Sequence, residues 1–406
     1  MQILLLSFQT KPNSVFVSNR VFKLAKFLMS RGHDVRVLTA DDPASLSVDF
    51  GRERILSVPL PERVGFGSAV WDKVSFTGNR SDDPSVKWRR PALDAAKVIF
   101  AKWKPDVLIA TCPSHSNAVL AAQISVATDV PFVADFSERW SHGSADMSPR
   151  QKSAERQKER AVLSRAAGVI TASPVWAESY ARLFGASKVV LALNGFDPDE
   201  YPLSSPAEPD ADRGVLKVLS TSPFEPGEIE PRLLFKGVAA LGEGAKDIRI
   251  TIVGDHAEEA LAIAKEERVQ KQLDLYPAET RKTLIKRQYA ADALAMTFAP
   301  DAHEVGRVAS ELFDCIGTRR PVIGCGWGKG VNAAIIRKRD LGIVSNEPKV
   351  IANTLARLLA KKRAVGQVPM LPDTVRSNAA MPAQFAGIEP LLFDAVGRDA
   401  LKVAAE

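Results

Sequence analysis

Cysteine is scarce in this sequence. Its 406 residues hold three, Cys112, Cys315 and Cys325, with no Cys-x-x-Cys spacing. A disulfide framework is excluded, and the composition fits a reducing compartment. The five histidines, His33, His115, His142, His256 and His303, form no His-x-His or His-x-x-x-His pair. No preformed zinc site is therefore expected. No apolar run approaches the ~18–20 residues that cross a bilayer. The opening residues 1–8 lack a basic flank and are too short for a signal segment. The expected location is the cytoplasm, or the inner face of the cell membrane as a peripheral protein. Charge of one sign is also in short supply. Lys+Arg number 54 and Asp+Glu 48, a net of +6, which is too little and too dispersed for a nucleic-acid-binding stripe. Residues 1–200 carry a net of +5 and the rest a net of +1. The excess in the first half would suit an anionic surface or a phosphate-bearing ligand.

What is present is ordinary soluble globular material, with 46% apolar and 25% charged residues. The length suggests two domains. Residues 3–8 form a short apolar run suited to a buried parallel strand. Residues 15–31 place Val17, Val21, Leu24, Ala25 and Leu28 at helical spacing, and residues 33–39 read as a second strand. Strand, helix and strand make a right-handed βαβ unit. Further strands are expected at 106–111, 131–135, 168–172 and 189–193, with helices at 116–127, 151–167 and 175–184. An acidic, proline-rich stretch over 197–214 reads as a linker. A second series follows, with strands at 216–220, 248–253, 293–298, 321–324 and 342–344. Its helices are expected at 258–268, 308–316, 331–337 and 350–361. The fold class is α/β: two Rossmann-like, doubly wound domains facing a central cleft.

Open α/β sheets bind ligands beyond the C-terminal ends of their strands, so five loops hold the candidate chemistry. Residues 9–14 supply small polar groups at a helix N-terminus, or an ordinary capped turn. His115 lies between a strand and a helix, as a cleft-facing group or a surface histidine. The loop 135–140 packs Asp135, Glu138, Arg139 and Trp140 into six residues, and could position a hydroxyl nucleophile or act as a base. It could equally be a salt-bridged surface loop. Residues 303–314 run into a helix, where Gly306, Arg307 and nearby amides offer what a diphosphate needs. Alternatively Arg307 and Glu311 form an i,i+4 surface pair. The last loop, Gly324 to Gly330, alternates glycines. Gly326, Gly328 and Lys329 could approach a phosphate, although the P-loop pattern fails. His33, opening a strand after Gly32, reads as structural.

The order of these features resembles the GT-B glycosyltransferases of the family 4-like group. The resemblance rests on Arg31-Gly-His-Asp-Val35, the 105–113 segment, Pro131-Phe-Val with Glu138-Arg-Trp140, and the 166–173 segment. Asn194-Gly-Phe-Asp197, Ile252-Val-Gly254 and the run from Ser310 to Ile323 complete it. It implies an N-terminal acceptor domain at 1–200, a linker at 201–214 and a donor domain at 215–387, with 388–406 crossing back onto the first domain. It implies transfer of a sugar from a nucleotide-sugar donor to a glycan or lipid-linked acceptor, in cell-surface polysaccharide or glycoconjugate synthesis, with retention of configuration. No cofactor and no metal are expected. Asp314 falls where relatives hold the donor ribose. Gly306, Arg307, Ser310 and Glu304 fall in the donor loop, and Glu138 and His115 on the acceptor side as the candidate catalytic groups.

Four departures from the family pattern stand out, one being that the familiar acidic pair with seven residues between is absent: Gly306 stands eight residues before Asp314, and Glu304 two further back. Lys11-Pro-Asn-Ser14 replaces the usual Gly-Gly loop. Glu311 stands where relatives carry a basic residue. The basic diphosphate clamp has no clear counterpart in residues 224–230. Alternatives of the same architecture are a sugar-nucleotide epimerase and a catalytically weakened sugar-nucleotide-binding protein. A dehydrogenase is disfavoured because neither half opens with a dinucleotide fingerprint. Tryptophans beside basic residues at Lys87-Trp-Arg-Arg90 and Lys102-Trp-Lys104 would suit an anionic membrane surface, or they anchor ordinary solvated faces.

Overall fold

The computed structural model describes residues 1–10, 20–43, 51–60, 83–137, 140, 148–202, 212–222, 224, 229–254, 256–298 and 306–397. The chain divides into two compact units. The first contains Asn19–Ala192, the opening strand and the segment from Phe385 onward; the second contains Leu193–Gln384.

In the first unit seven parallel strands lie in the order β3-β2-β1-β4-β5-β6-β7. They are β1 (Gln2–Leu6), β2 (Asp34–Thr39), β3 (Ile55–Ser57), β4 (Val107–Cys112), β5 (Phe132–Phe136), β6 (Gly168–Thr171) and β7 (Val189–Leu191). An apolar run makes β1 a central strand: Ile3, Leu4, Leu5 and Leu6 are fully buried because helices cover both sheet faces. The intervening helices are α1 (Arg20–Ser30), α2 (Pro84–Phe100), α3 (Ser116–Thr128), α4 (Pro149–Leu163) and α5 (Pro174–Phe184). Local chemistry fixes the start of α4. The Ser148 hydroxyl accepts from the Gln151 amide while the Gln151 side chain accepts from the Ser148 amide, and Pro149 opens the first turn.

The second unit repeats the design with six parallel strands, β10-β9-β8-β11-β12-β13. Its strands are β8 (Leu216–Ser220), β9 (Ile248–Val253), β10 (Leu273–Tyr276), β11 (Ala293–Thr297), β12 (Val322–Cys325) and β13 (Gly342–Ser345). Its helices are α6 (Arg232–Ala239), α7 (Ala257–Glu266), α8 (Arg281–Ala290), α9 (Glu311–Thr318), α10 (Val331–Lys338) and α11 (Pro348–Val365). Two apolar clusters cover its two sheet faces, one around Leu219, Leu294 and Leu312, the other around Val218, Ile250 and Ala295. In both sheets the strand order reverses once, between β1 and β4 and between β8 and β11. Those switch points are where doubly wound sheets open a crevice for ligands.

Three expectations need correction. The helix expected over 308–316 begins at Glu311. The Asn332 side chain takes over the backbone ahead of it, accepting from the Ala309 amide at 2.9 Å and donating to the Arg307 carbonyl at 3.1 Å. Arg307 and Glu311 are therefore not neighbours on one helix face, and Glu311 is buried. The tryptophans expected to meet a membrane surface are core residues. Trp88 is fully buried and donates to the Val58 carbonyl at 2.7 Å. Trp103 donates to Asp34 at 2.8 Å and lies under the Arg36 guanidinium. Finally, the second unit begins at Leu193, ahead of the proline-rich stretch, and Tyr201 is buried in its core.

α12 (Met381–Phe385) and α13 (Ile388–Ala395) end the described chain. α13 packs on β5 and β6, with Leu391 filling the space over Gly168. Glu389 receives His33 at 3.0 Å and Arg31 at 3.0 Å, so His33 has a structural role within the first unit.

Candidate functional site

At the C-terminal strand edge of the first unit, His115 sits immediately before α3. Its ring stacks parallel to the Trp140 indole, centroids 5.3 Å apart. Trp140 is held from behind. Its Nε1 donates to Glu155 at 2.9 Å, and one turn along α4 Glu159 accepts from the Tyr180 hydroxyl at 3.0 Å. Phe136 lies against both aromatics. These contacts fix the plane of the His115 ring. Asp135 turns away from this cluster, because alternate residues of a strand face opposite sides. Arg20 grips it through Nε at 2.9 Å and Nη2 at 2.7 Å, with both side chains buried. Asp135 is thus a fastening between β5 and α1. Glu138, expected beside His115 on the acceptor side, and Glu304, expected in the donor loop, lie outside the described residues.

At the corresponding edge of the second unit the donor-side candidates fall into two groups. Gly306 is buried, Arg307 half-buried, and Ser310 immediately precedes α9. The Asn332 bridge ties this segment to the start of α10, just after the glycine loop. Gly326 continues the sheet, its amide donating to the Ser345 carbonyl at 3.0 Å. A Cβ there would meet the Phe298 carbonyl oxygen at 2.6 Å, and φ is +149°, so only glycine fits. The Gly328 carbonyl accepts from Arg337 at 2.6 Å, and Lys329 is exposed.

The second group surrounds Asp314, which is fully buried on α9. Both of its oxygens accept from Arg281, the first residue of α8, at 2.6 and 2.7 Å. The same guanidinium donates to Glu200 at 2.9 and 3.3 Å and to the Tyr201 hydroxyl at 3.2 Å. Tyr201 packs so closely on α9 that a Cβ at Gly317 would meet its ring at 2.7 Å. Its own hydroxyl donates to Gln288 at 2.9 Å. Burial pushes the Tyr201 phenol well above its usual range, and the Asp314 charge adds to the rise. Burial opposes the charge of Arg281, but the facing Asp314 outweighs it and holds the guanidinium protonated. Glu311, one turn before Asp314, is pushed up to about 7 by burial, helped by the Asp314 charge and opposed by its own backbone amide.

Sequence reasoning found Asp314 but missed Arg281, Glu200 and Asn332. The signal available was indirect. A buried carboxylate needs a counter-charge, but Arg307, Arg319 and Arg320 all lie nearer Asp314 in sequence than Arg281 does, so residue order does not single out the partner. No group of three or more His, Cys, Asp or Glu arranged to hold a metal occurs among the described residues. Nor is any helix among them long and apolar enough to cross a membrane.

Residues 17–195 match the family model described as glycosyl transferase 4-like domain. No curated protein matches the sequence. Among solved structures, a glycosyltransferase from Rickettsia africae is similar over 98% of this chain and 99% of its own, with 15% identity and a TM-score of 0.64. A sucrose-phosphate synthase from Thermosynechococcus elongatus is similar over 97% and 99%, with 14% identity and a TM-score of 0.65. A putative UDP-N-acetylglucosamine 2-epimerase from Listeria monocytogenes is similar over 96% and 97%, with 10% identity and a TM-score of 0.56. At these identities the likeness is one of fold, two Rossmann-like domains in GT-B architecture.

Proposed function

Starting from a chain of GT-B fold whose residues 17–195 match the glycosyl transferase 4-like model, we propose that this protein transfers a sugar from a nucleotide-sugar donor to a glycan or lipid-linked acceptor. The family match over the first unit carries the reading. The strand edge of the second unit supports it, since it gathers Gly306, Arg307, Ser310 and Asp314 in one segment braced by Asn332.

In this reading the second unit holds the donor. Asp314 accepts from the ribose hydroxyls. The Arg307 side chain and backbone amides ahead of α9 stabilise the diphosphate as it leaves, a fixed electrostatic contribution that needs no rearrangement during the reaction. With Glu304 and the glycine loop, Gly326 to Lys329, they form the donor surface. The first unit holds the acceptor. His115, its ring plane fixed by Trp140, orients an acceptor hydroxyl together with Glu138. Departure of the diphosphate under this stabilisation fits a retaining course. The exposed basic residues of α2, Lys87, Arg90 and Lys97, suit an acceptor at an anionic membrane surface. Their charges alone carry that suggestion, since Trp88 is buried beneath them.

Calorimetric titration with UDP-, GDP- and ADP-linked sugars tests the donor reading. One of them is expected to bind, and Arg307→Ala and Asp314→Asn are each expected to weaken it about tenfold or more, the scale of one lost charge-assisted hydrogen bond. Absence of binding to every donor would overturn the enzyme reading. Epimer formation from the donor alone would replace transfer with epimerisation.

A further inference from the structure

Asp314 is fully buried, and the Arg281 guanidinium engages both of its oxygens. Its oxygens are fully buried, whereas the Arg281 side chain over them is 24% exposed and that of Glu200 is 31% exposed. The guanidinium thus bridges an inner carboxylate and an outer one. A donor hydroxyl cannot reach Asp314 while Arg281 stays where it is. Arg281 has a second seat, however. Nε and Nη2 already face the two oxygens of Glu200 at 3.3 and 2.9 Å, the forked geometry that guanidinium and carboxylate prefer. Leaving Asp314 therefore does not strand the charge. The Tyr201 ring under the guanidinium and its hydroxyl at 3.2 Å give the arginine a surface to pivot on.

We propose that Arg281 is the affinity-setting residue of the donor site: it competes with the ribose hydroxyls for Asp314, and Glu200 is the positioning residue that receives it when the donor binds. The exchange accounts for two carboxylates being arranged around one arginine at the ligand edge of the sheet. This inference rests on the donor reading above and assigns Arg281 and Glu200 opposite effects within it.

The test is calorimetry with UDP, GDP and ADP, and with the 2′,3′-dideoxy form of whichever binds, on the full chain and two variants. Arg281→Gln removes the competitor and is expected to tighten binding about tenfold, with no gain for the dideoxy form, which has no hydroxyls to offer Asp314. Glu200→Gln removes the second seat and is expected to weaken binding about tenfold while leaving the melting transition near that of the parent chain. Melting curves accompany both, and Glu200→Gln decides alone if Arg281→Gln does not fold. Parent-like or weaker binding by folded Arg281→Gln, or parent-like binding by Glu200→Gln, overturns the exchange and leaves the donor reading standing. Equal tightening for the ribose and dideoxy forms also overturns it. If neither the parent chain nor any folded variant binds any of the three diphosphates, the donor reading falls and this inference falls with it.

Discussion

Each unit holds a buried aspartate gripped by the arginine at the described start of a helix, Asp135 by Arg20 and Asp314 by Arg281. The two pairs look alike and differ in what surrounds them. Arg20 is only 7% exposed and lies over the Phe385 ring, between a strand and a helix of the same core. Arg281 stands partly in solvent and shares its fork with Glu200. A charge buried against a well-aligned carboxylate makes a fastening that is costly to break. A charge placed between two carboxylates at a surface has somewhere to go. The same chemical pair therefore stabilises the fold in one place and can respond to a ligand in the other.

Breaking the fastening should give the largest effect. Asp135→Ala leaves Arg20 without its bidentate carboxylate and is expected to cost about 3–5 kcal/mol in a denaturant melt. A loss below about 1 kcal/mol would show that the first-unit pair is no more structural than an exposed ion pair.

Next comes the pH response of the second unit. Glu311 titrates near 7 in the folded chain, above the ordinary value of 4.5, because burial disfavours its charged form. A raised carboxyl value means that the folded state holds the proton more tightly than the unfolded one. The contribution is fully present below about 4.5 and is lost as pH rises through about 7, up to about 3 kcal/mol across that window. Glu311→Gln, which mimics the protonated form, should remove this slope. Melts at pH 5 and pH 8 would measure it, and an equal pH dependence in the parent chain and the variant would refute the assignment.

The smallest effect expected is at Asn332. Asn332→Ala removes the bridge to Arg307 and Ala309 and should cost about 1 kcal/mol, the scale of partly buried backbone groups left unmet. It should also lower donor affinity, because the segment ahead of α9 loses its brace. Unchanged affinity with the expected loss of stability would restrict Asn332 to the fold.

The sequence was legible where hydrophobic spacing is strong. The apolar runs of β1, β4 and β11 identify buried parallel strands, and Val21, Leu24, Ala25 and Leu28 identify α1. Elements that bury little apolar surface were missed. α8 buries only Leu284 and Gln288, and β10 is a short edge strand with alternate residues exposed. α2 buries Ser85, Trp88, Ala92 and Ala96, small residues that give a weak periodic signal around one large indole. Proximity in sequence also misled. Trp88 beside basic residues suggested a surface anchor, yet helical geometry sends neighbouring residues to different faces, Trp88 inward and Arg90 outward.

The candidate site divides along the same line. Gly306, Arg307, Ser310 and Asp314 share one stretch of chain, so their order alone suggested a common role. Arg281 reaches Asp314 across 33 residues and Arg20 reaches Asp135 across 115. Local residue order was enough to specify two α/β units with parallel sheets, because the burial period of strands and helices is written into it. Which arginine meets which aspartate emerged with the assembled fold. An ion pair depends on where strand order and helix starts bring two side chains together, and that placement is a property of the assembled sheet.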